Sequence, residues 1–159
     1  MTDTTSYTTT FTVDRTPQDV FDAINDVRGW WSDDIDGRTD VQGEEYTYRS
    51  KDIHRSQILV TELVPGERVV WRVLDNYMNF VQDQNEWKDT EIRFEITRVG
   101  ELTQVTFTHI GLVPAYECFD ICTNAWGFLI NGSLRDLIMT GAGDPILRVG
   151  DLPAGLRAG

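Results

Sequence analysis

The order of elements in this chain predicts an α+β protein: a strongly curved antiparallel sheet wrapped around one long C-terminal helix. Three observations carry the prediction. A strand-like stretch and a short helical stretch open the chain. A run of alternating segments separated by turns fills the middle, from Gly37 to Gly111. Residues from about 115 to 140 then lack proline and carry apolar side chains at helical spacing.

Each element has a local reason. In "TTSYTTTFTVDR", Tyr7, Thr9, Phe11 and Val13 share one face, as in a strand buried on one side. Thr16 can cap the next element, Pro17 suits a first helical position, and Asp19 favours the positive end of the helix dipole. Val20, Phe21 and Ile24 make its apolar stripe, and a second short turn of helix is expected to end at Trp30 and Trp31.

Tyr46 and Tyr48 fall on one face of "EEYTYRS". "HRSQILVTELV" ends at the turn "PGE". Val69, Trp71 and Val73 alternate in the next strand, and "YMNFVQDQNEW" reads as an irregular connection. Ile92, Phe94 and Ile96 face inward opposite Glu91, Arg93 and Glu95, and Val105, Phe107 and His109 repeat the pattern. Pro114 opens the last helix, whose stripe is Ala115, Cys118, Phe119, Cys122, Trp126, Leu129, Ile130, Ser133 and Leu137. Gly127 and Gly132 permit a bend or close packing, and Gly141 suits the C-terminal cap. One domain over 1–145 and a loosely held tail over 146–159 follow from this.

Composition narrows the function. The chain has 159 residues, 40% apolar and 25% charged, enough to bury a core without disulfides or metal. Its formal net charge is −12. That repels nucleic-acid phosphates and anionic membranes and leaves a basic patch on a partner protein open as a contact. No stretch approaches the roughly 20 apolar residues of a membrane span, and "MTDTTSYTTTF" has no features of a signal peptide. Two cysteines make no disulfide framework, so a cytoplasmic protein with reduced thiols is expected.

The chemical-looking stretch is "THIGLVPAYECFDICTNAWGFL". His109, Cys118 and Cys122 offer three metal-ligand types, but Cys-x-x-x-Cys on a helix is not the knuckle of a structural zinc site. Nor is it the Cys-x-x-Cys of a thioredoxin-like redox site. The reading is therefore no metal and no cofactor, with both thiols on the inward face of the helix. His109 is read as a buried, hydrogen-bonded residue that would orient a ligand if a cavity is open. His54, in the polar stretch "KDIHRS", is expected at the surface. Ser133 has no marked base beside it, and no nucleophile elbow or phosphate loop occurs. Glu86 and Glu117 adjoin aromatic segments, where a carboxylate could cap a pocket or pair with Arg49. Trp30, Trp31 and Trp87 lie near connections, where a ligand entrance explains large aromatics better than a core does.

"FTVDRTPQDVFDAINDVRGWW" at one end and "WGFLINGSLRDLIMTGAGDP" at the other resemble the START-like (SRPBCC, Bet v 1-like) superfamily. More closely, the chain resembles the bacterial family named for its similarity to activators of the heat-shock-protein-90 ATPase (AHSA-type). The resemblance spans about residues 5 to 145, and "FTHIGLVP-x-YEC" running into "C-x-N-A-W" resembles a subgroup of small bacterial members. It implies a helix-grip fold of seven antiparallel strands with a cavity beneath the long helix. Superfamily members bind lipids, hormones or polyketides, and some are cyclases or hydrolases.

The expectation is a non-enzymatic protein, with a stress-related role among its readings, that binds a small apolar or amphipathic molecule between sheet and helix. The lining would be Tyr48, Trp71, Phe94, Phe107, His109, Cys118, Cys122, Trp126 and Ile130. The alternatives are a chaperone-activator-type interaction module, and a cyclase- or hydrolase-like enzyme using His109 with a nearby carboxylate. A homodimer through exposed strands or loop aromatics is compatible with either.

Overall fold

In the computed structural model, residues 6–32, 34–50, 54–78, 87–116 and 118–143 are described. The tail 146–159, the centre of the irregular connection, Glu86 and Glu117 lie outside them. The strands are β1 (Tyr7–Val13), β2 (Ile35–Gly37), β3 (Glu45–Ser50), β4 (His54–Val64), β5 (Arg68–Met78), β6 (Glu91–Val99) and β7 (Leu102–Ile110). They form one sheet in the order β1-β7-β6-β5-β4-β3-β2, and every neighbouring pair is antiparallel. The chain thus winds from one edge to the other, with only β1 crossing back to pair with β7 at the far end.

The sheet curves for local reasons. Register shifts between Gln57 and Ile58, and between Val60 and Glu62, break the β4–β5 ladder twice. Each extra residue bends its strand and steepens the local twist. The inner face is the one the alternation marks: Val69, Trp71, Val73, Ile92, Phe94, Val105 and Phe107 are all fully buried. Strand β5 runs on to Met78, into the first residues of the stretch "YMNFVQDQNEW" that reads as an irregular connection. Leu74 is the extra residue at one register shift, so the inward phase passes from Val73 to Asn76 and Met78, and pairing with β4 outweighs poor strand propensity there.

Helices α1 (Pro17–Asn25) and α2 (Val27–Trp30) follow β1. Thr16 caps α1 by accepting the Asp19 amide at 3.1 Å. Val20, Phe21, Ile24, Val27 and Trp30 all enter the core.

The C-terminal helix departs from expectation. The chain makes turns after Pro114, and regular helix starts at Phe119 rather than near 115. Segment α3 (Phe119–Gly127) passes into a π-helical stretch, Phe128–Leu134, before α4 (Arg135–Thr140) resumes. A wider turn shifts the inward stripe, so Leu134 and Ile138 become buried where the α-helical spacing points to Leu137. Ala115 is exposed and Ile121 takes an inward place the expected stripe omits. Gly141, at φ +85°, ends the helix and donates its amide to Leu137.

Candidate functional site

The nine residues singled out from sequence come together beneath the helix. Tyr48 stands on β3, Trp71 on β5, Phe94 on β6, and Phe107 and His109 on β7. Cys118 sits just before α3, Cys122 and Trp126 on α3, and Ile130 in the π segment. All nine are 0–4% exposed and belong to, or are buried against, one cluster. Phe94 meets Phe107 edge-on at 5.1 Å, and Phe107 meets Trp126 at 4.8 Å. Trp71 meets Phe94 at 5.0 Å.

The sequence puts Trp30, Trp31 and Trp87 near connections, where a ligand entrance is expected. They are instead 0%, 2% and 3% exposed and complete the interior. Trp31 lies 4.5 Å from Tyr48, 5.1 Å from Trp126 and 6.1 Å from Trp71, while Trp87 stacks on Trp126 at 5.6 Å. All five tryptophans of the chain therefore share one space. The short helix α2 and the turn after it point their rings inward because the helix at 126–134 closes over them; Ser133 donates to the Trp30 carbonyl at 2.7 Å.

His54 also corrects its expected place: it is 8% exposed, not at the surface. Its phase with Ser56, Ile58 and Val60 along β4 turns it inward, and that alternation was the available signal. Its ring meets Tyr48 edge-on at 5.2 Å and Trp87 at 4.7 Å, and it hydrogen-bonds Ser56 Oγ at 3.1 Å. Thr90, in phase with Ile92 and Phe94, is a further inward polar residue the apolar pattern passes over.

His109 lies at the centre of a directed relay. Trp126 Nε1–H donates to His109 Nδ1 at 3.1 Å. An indole nitrogen only donates, so Nδ1 carries no proton. Thr90 spends its hydroxyl proton on the Trp87 carbonyl at 2.6 Å, so the 2.8 Å contact between Thr90 Oγ1 and His109 Nε2 has the imidazole donating. One neutral tautomer satisfies every bond. Burial pushes the His109 pKa down to about 3, with the nearby His54 adding to the effect, and burial alone pushes His54 to about 3. Both ring nitrogens of His109 are thus committed to non-carboxylate partners, an arrangement unlike the acid–base pair of the enzyme reading. Arg49, considered as a partner for Glu86 or Glu117, pairs at the surface with Asp36 at 2.5 Å and Asp34 at 4.0 Å.

Gly111 holds the relay from behind. Its φ is +101°, and a β-carbon there would stand 2.8 Å from Thr90 Cγ2. Gly111→Ala is expected to cost about 1–3 kcal/mol through backbone strain alone. Thermal unfolding measures it, and an unchanged melting temperature would contradict the close fit.

Two hollows lined by described residues open at the surface, and neither includes any of the nine residues. One, of about 590 Å³, lies between α1 and the stretch after β2, with Asp22, Asn25, Arg28 and Thr39 on its walls. The other, of about 530 Å³, lies between Tyr7 of β1 and the helix residues Thr123, Phe128 and Asn131. Cys118 and Cys122 are both buried, and among the described residues no three His, Cys, Asp or Glu side chains cluster as metal ligands would.

A curved seven-stranded antiparallel sheet closed by a C-terminal helix, with two short helices after its first strand, defines the helix-grip class of START-like, Bet v 1-like proteins. The chain belongs to the activator of Hsp90 ATPase homolog 1-like family, whose model matches residues 14–137. Among solved structures it is similar to the Aha1 dimer of Colwellia psychrerythraea. That match has 25% identity and a TM-score of 0.70, and covers 87% of this chain and 99% of that one. SSP2350 of Staphylococcus saprophyticus shares the fold at 17% identity and a TM-score of 0.63, over 90% of this chain and 98% of that one. CalU16 of Micromonospora echinospora does so at 14% identity and a TM-score of 0.62, over 88% and 77%. No protein of curated function matches the chain. Among the described residues no helix is long and apolar enough to cross a membrane.

Proposed function

We propose that the chain binds a small apolar or amphipathic molecule between the sheet and the C-terminal helix, among the nine residues named above. The observation that carries this reading is the π-helical stretch Phe128–Leu134 in the gripping helix, set against an interior holding five tryptophans and both histidines. A π turn departs from regular α-helical hydrogen bonding and is frequent at functional positions. Here it lies over Trp30, joined to it through Ser133. Because the interior residues are closed off from solvent, a ligand enters by displacing the helix or rotating the rings that fill the space. The π turn is the segment best suited to yield.

Native mass spectrometry of the protein purified from its own host tests this. A one-to-one complex with a molecule of a few hundred daltons is expected. Bare chain alone, together with no thermal shift from added apolar compounds, would defeat the proposal.

A second reading, an interaction module of chaperone-activator type, draws on the family match and on the dimer formed by the Colwellia relative. It also draws on Phe128, 45% exposed beside the second hollow, and on the acidic surface. Pull-down of the host's large chaperone ATPase at low and high salt checks it. A salt-sensitive complex supports this reading, and its absence at low salt discards it.

A further inference from the structure

Resting on the binding reading above, we infer that the molecule held in the grip is flat, electrically neutral and oxygen-bearing: it offers carbonyl-type acceptors to the buried N–H and O–H groups of Trp71, Trp87 and Tyr46, and is not a carboxylate or phosphate.

The first ground is a set of three buried donors. Trp71 Nε1, Trp87 Nε1 and Tyr46 Oη are fully buried and find no hydrogen-bond partner among the described residues. An indole nitrogen can only donate, and burial raises the Tyr46 pKa well above its ordinary value, so its hydroxyl keeps its proton. Buried polar groups in folded proteins are normally paired, and each unpaired one is costly. Three in one interior, all able to donate, call for acceptors.

Their positions matter as much as their number. Tyr46 meets Trp71 edge-on at 5.5 Å on the β3–β5 side. Trp87 lies at the other end, between His54 and His109, at 4.7 Å from each ring. Trp31 and Trp126 stand between the two ends, 5.1 Å apart. The donors therefore mark both ends of an aromatic-walled space, and a flat molecule with oxygens at separated positions matches that pattern.

The second ground is charge. Among the described residues no Asp, Glu, Lys or Arg is buried; the buried polar side chains are all neutral types or histidine. His109 has both nitrogens engaged and His54 is neutral, so neither supplies a cation to a bound anion. An anionic headgroup would lose its hydration without gaining a countercharge. The net charge of −12 opposes its approach as well.

Three probes of one shape separate the possibilities: 9-fluorenone, fluorene, and 9-fluorenone-2-carboxylate, titrated at pH 7.5 with tryptophan fluorescence and calorimetry. The ketone is expected to bind at least about tenfold more tightly than either the hydrocarbon or the anion. Trp71→Phe, Trp87→Phe and Tyr46→Phe each keep a ring in place. The single carbonyl of fluorenone reaches one end only, so either Trp87→Phe, or Trp71→Phe and Tyr46→Phe, should reduce the preference for ketone over hydrocarbon while fluorene binding persists. Tyr46→Phe should also raise the melting temperature of the ligand-free protein by about 2–4 °C, because it removes an unpaired hydroxyl. Fluorene binding as tightly as fluorenone, or the carboxylate matching the ketone, would overturn the inference and leave the binding site standing. No binding by any of the three would overturn both.

Discussion

Trp126→Ala is expected to destabilise the fold by about 3–5 kcal/mol, the range for removing a large aromatic from a packed core. Trp126 is 1% exposed and touches four rings: Trp31, Phe107, Trp87 and His109. Its loss opens a cavity between helix and β7 and leaves His109 Nδ1 without a donor. Trp126→Phe separates these effects. It keeps much of the ring contact and removes only the indole donor, so its expected cost is smaller, about 1–3 kcal/mol for one unpaired buried acceptor. Urea unfolding of both variants measures the difference. Equal losses would mean that the hydrogen bond, not the packing, holds the helix in place.

Acid should destabilise the protein through its two histidines. Both are held near pKa 3 in the folded state, against an ordinary value of 6.5. Between those values the unfolded chain binds protons that the folded chain refuses. Stability is therefore complete above pH 6.5 and is lost progressively as pH falls toward 3. Two such groups imply a loss on the order of 4 kcal/mol between pH 7 and pH 5. The double variant His54→Gln, His109→Gln removes the titration while keeping side chains that donate and accept. It should flatten the dependence over that interval. Urea midpoints followed against pH decide the matter: a wild-type curve no steeper than the variant's would show that the histidines take up protons while folded.

How far the sequence led is visible residue by residue. The strand faces were legible because alternation with period two is a strong signal: Val69, Trp71, Val73, Ile92, Phe94, Val105 and Phe107 all point where the pattern puts them. The start of α1 was legible because capping chemistry is local, and Thr16 caps as its residue type suggests. The failures share a cause, since each depends on a distant partner. His54 looks polar and exposed until β5 and Trp87 cover it. Trp30 and Trp31 look like loop-mouth aromatics until the C-terminal helix closes over them. The π segment carries no local mark, because Phe128–Leu134 suits an α-helix apart from Gly132, and the shift of the inward stripe from Leu137 to Ile138 appears only in the packed molecule. The nine site residues were legible as inward-facing, but the polar partners that distinguish the interior, Ser56 and Thr90, required carrying the alternation beyond its apolar members.

The central claim, that the grip takes a ligand, is tested most directly by the tryptophan indole N–H resonances of the ¹⁵N-labelled protein during titration with 9-fluorenone. Each of the five indoles gives its own signal. A downfield shift is expected for Trp71 or Trp87, the two indoles without acceptors, with a smaller change for Trp126, already bonded to His109. Shifts confined to the walls of the surface hollows, at Asn25 and Arg28 or at Asn124 and Asn131, with the five indoles unmoved, would contradict it.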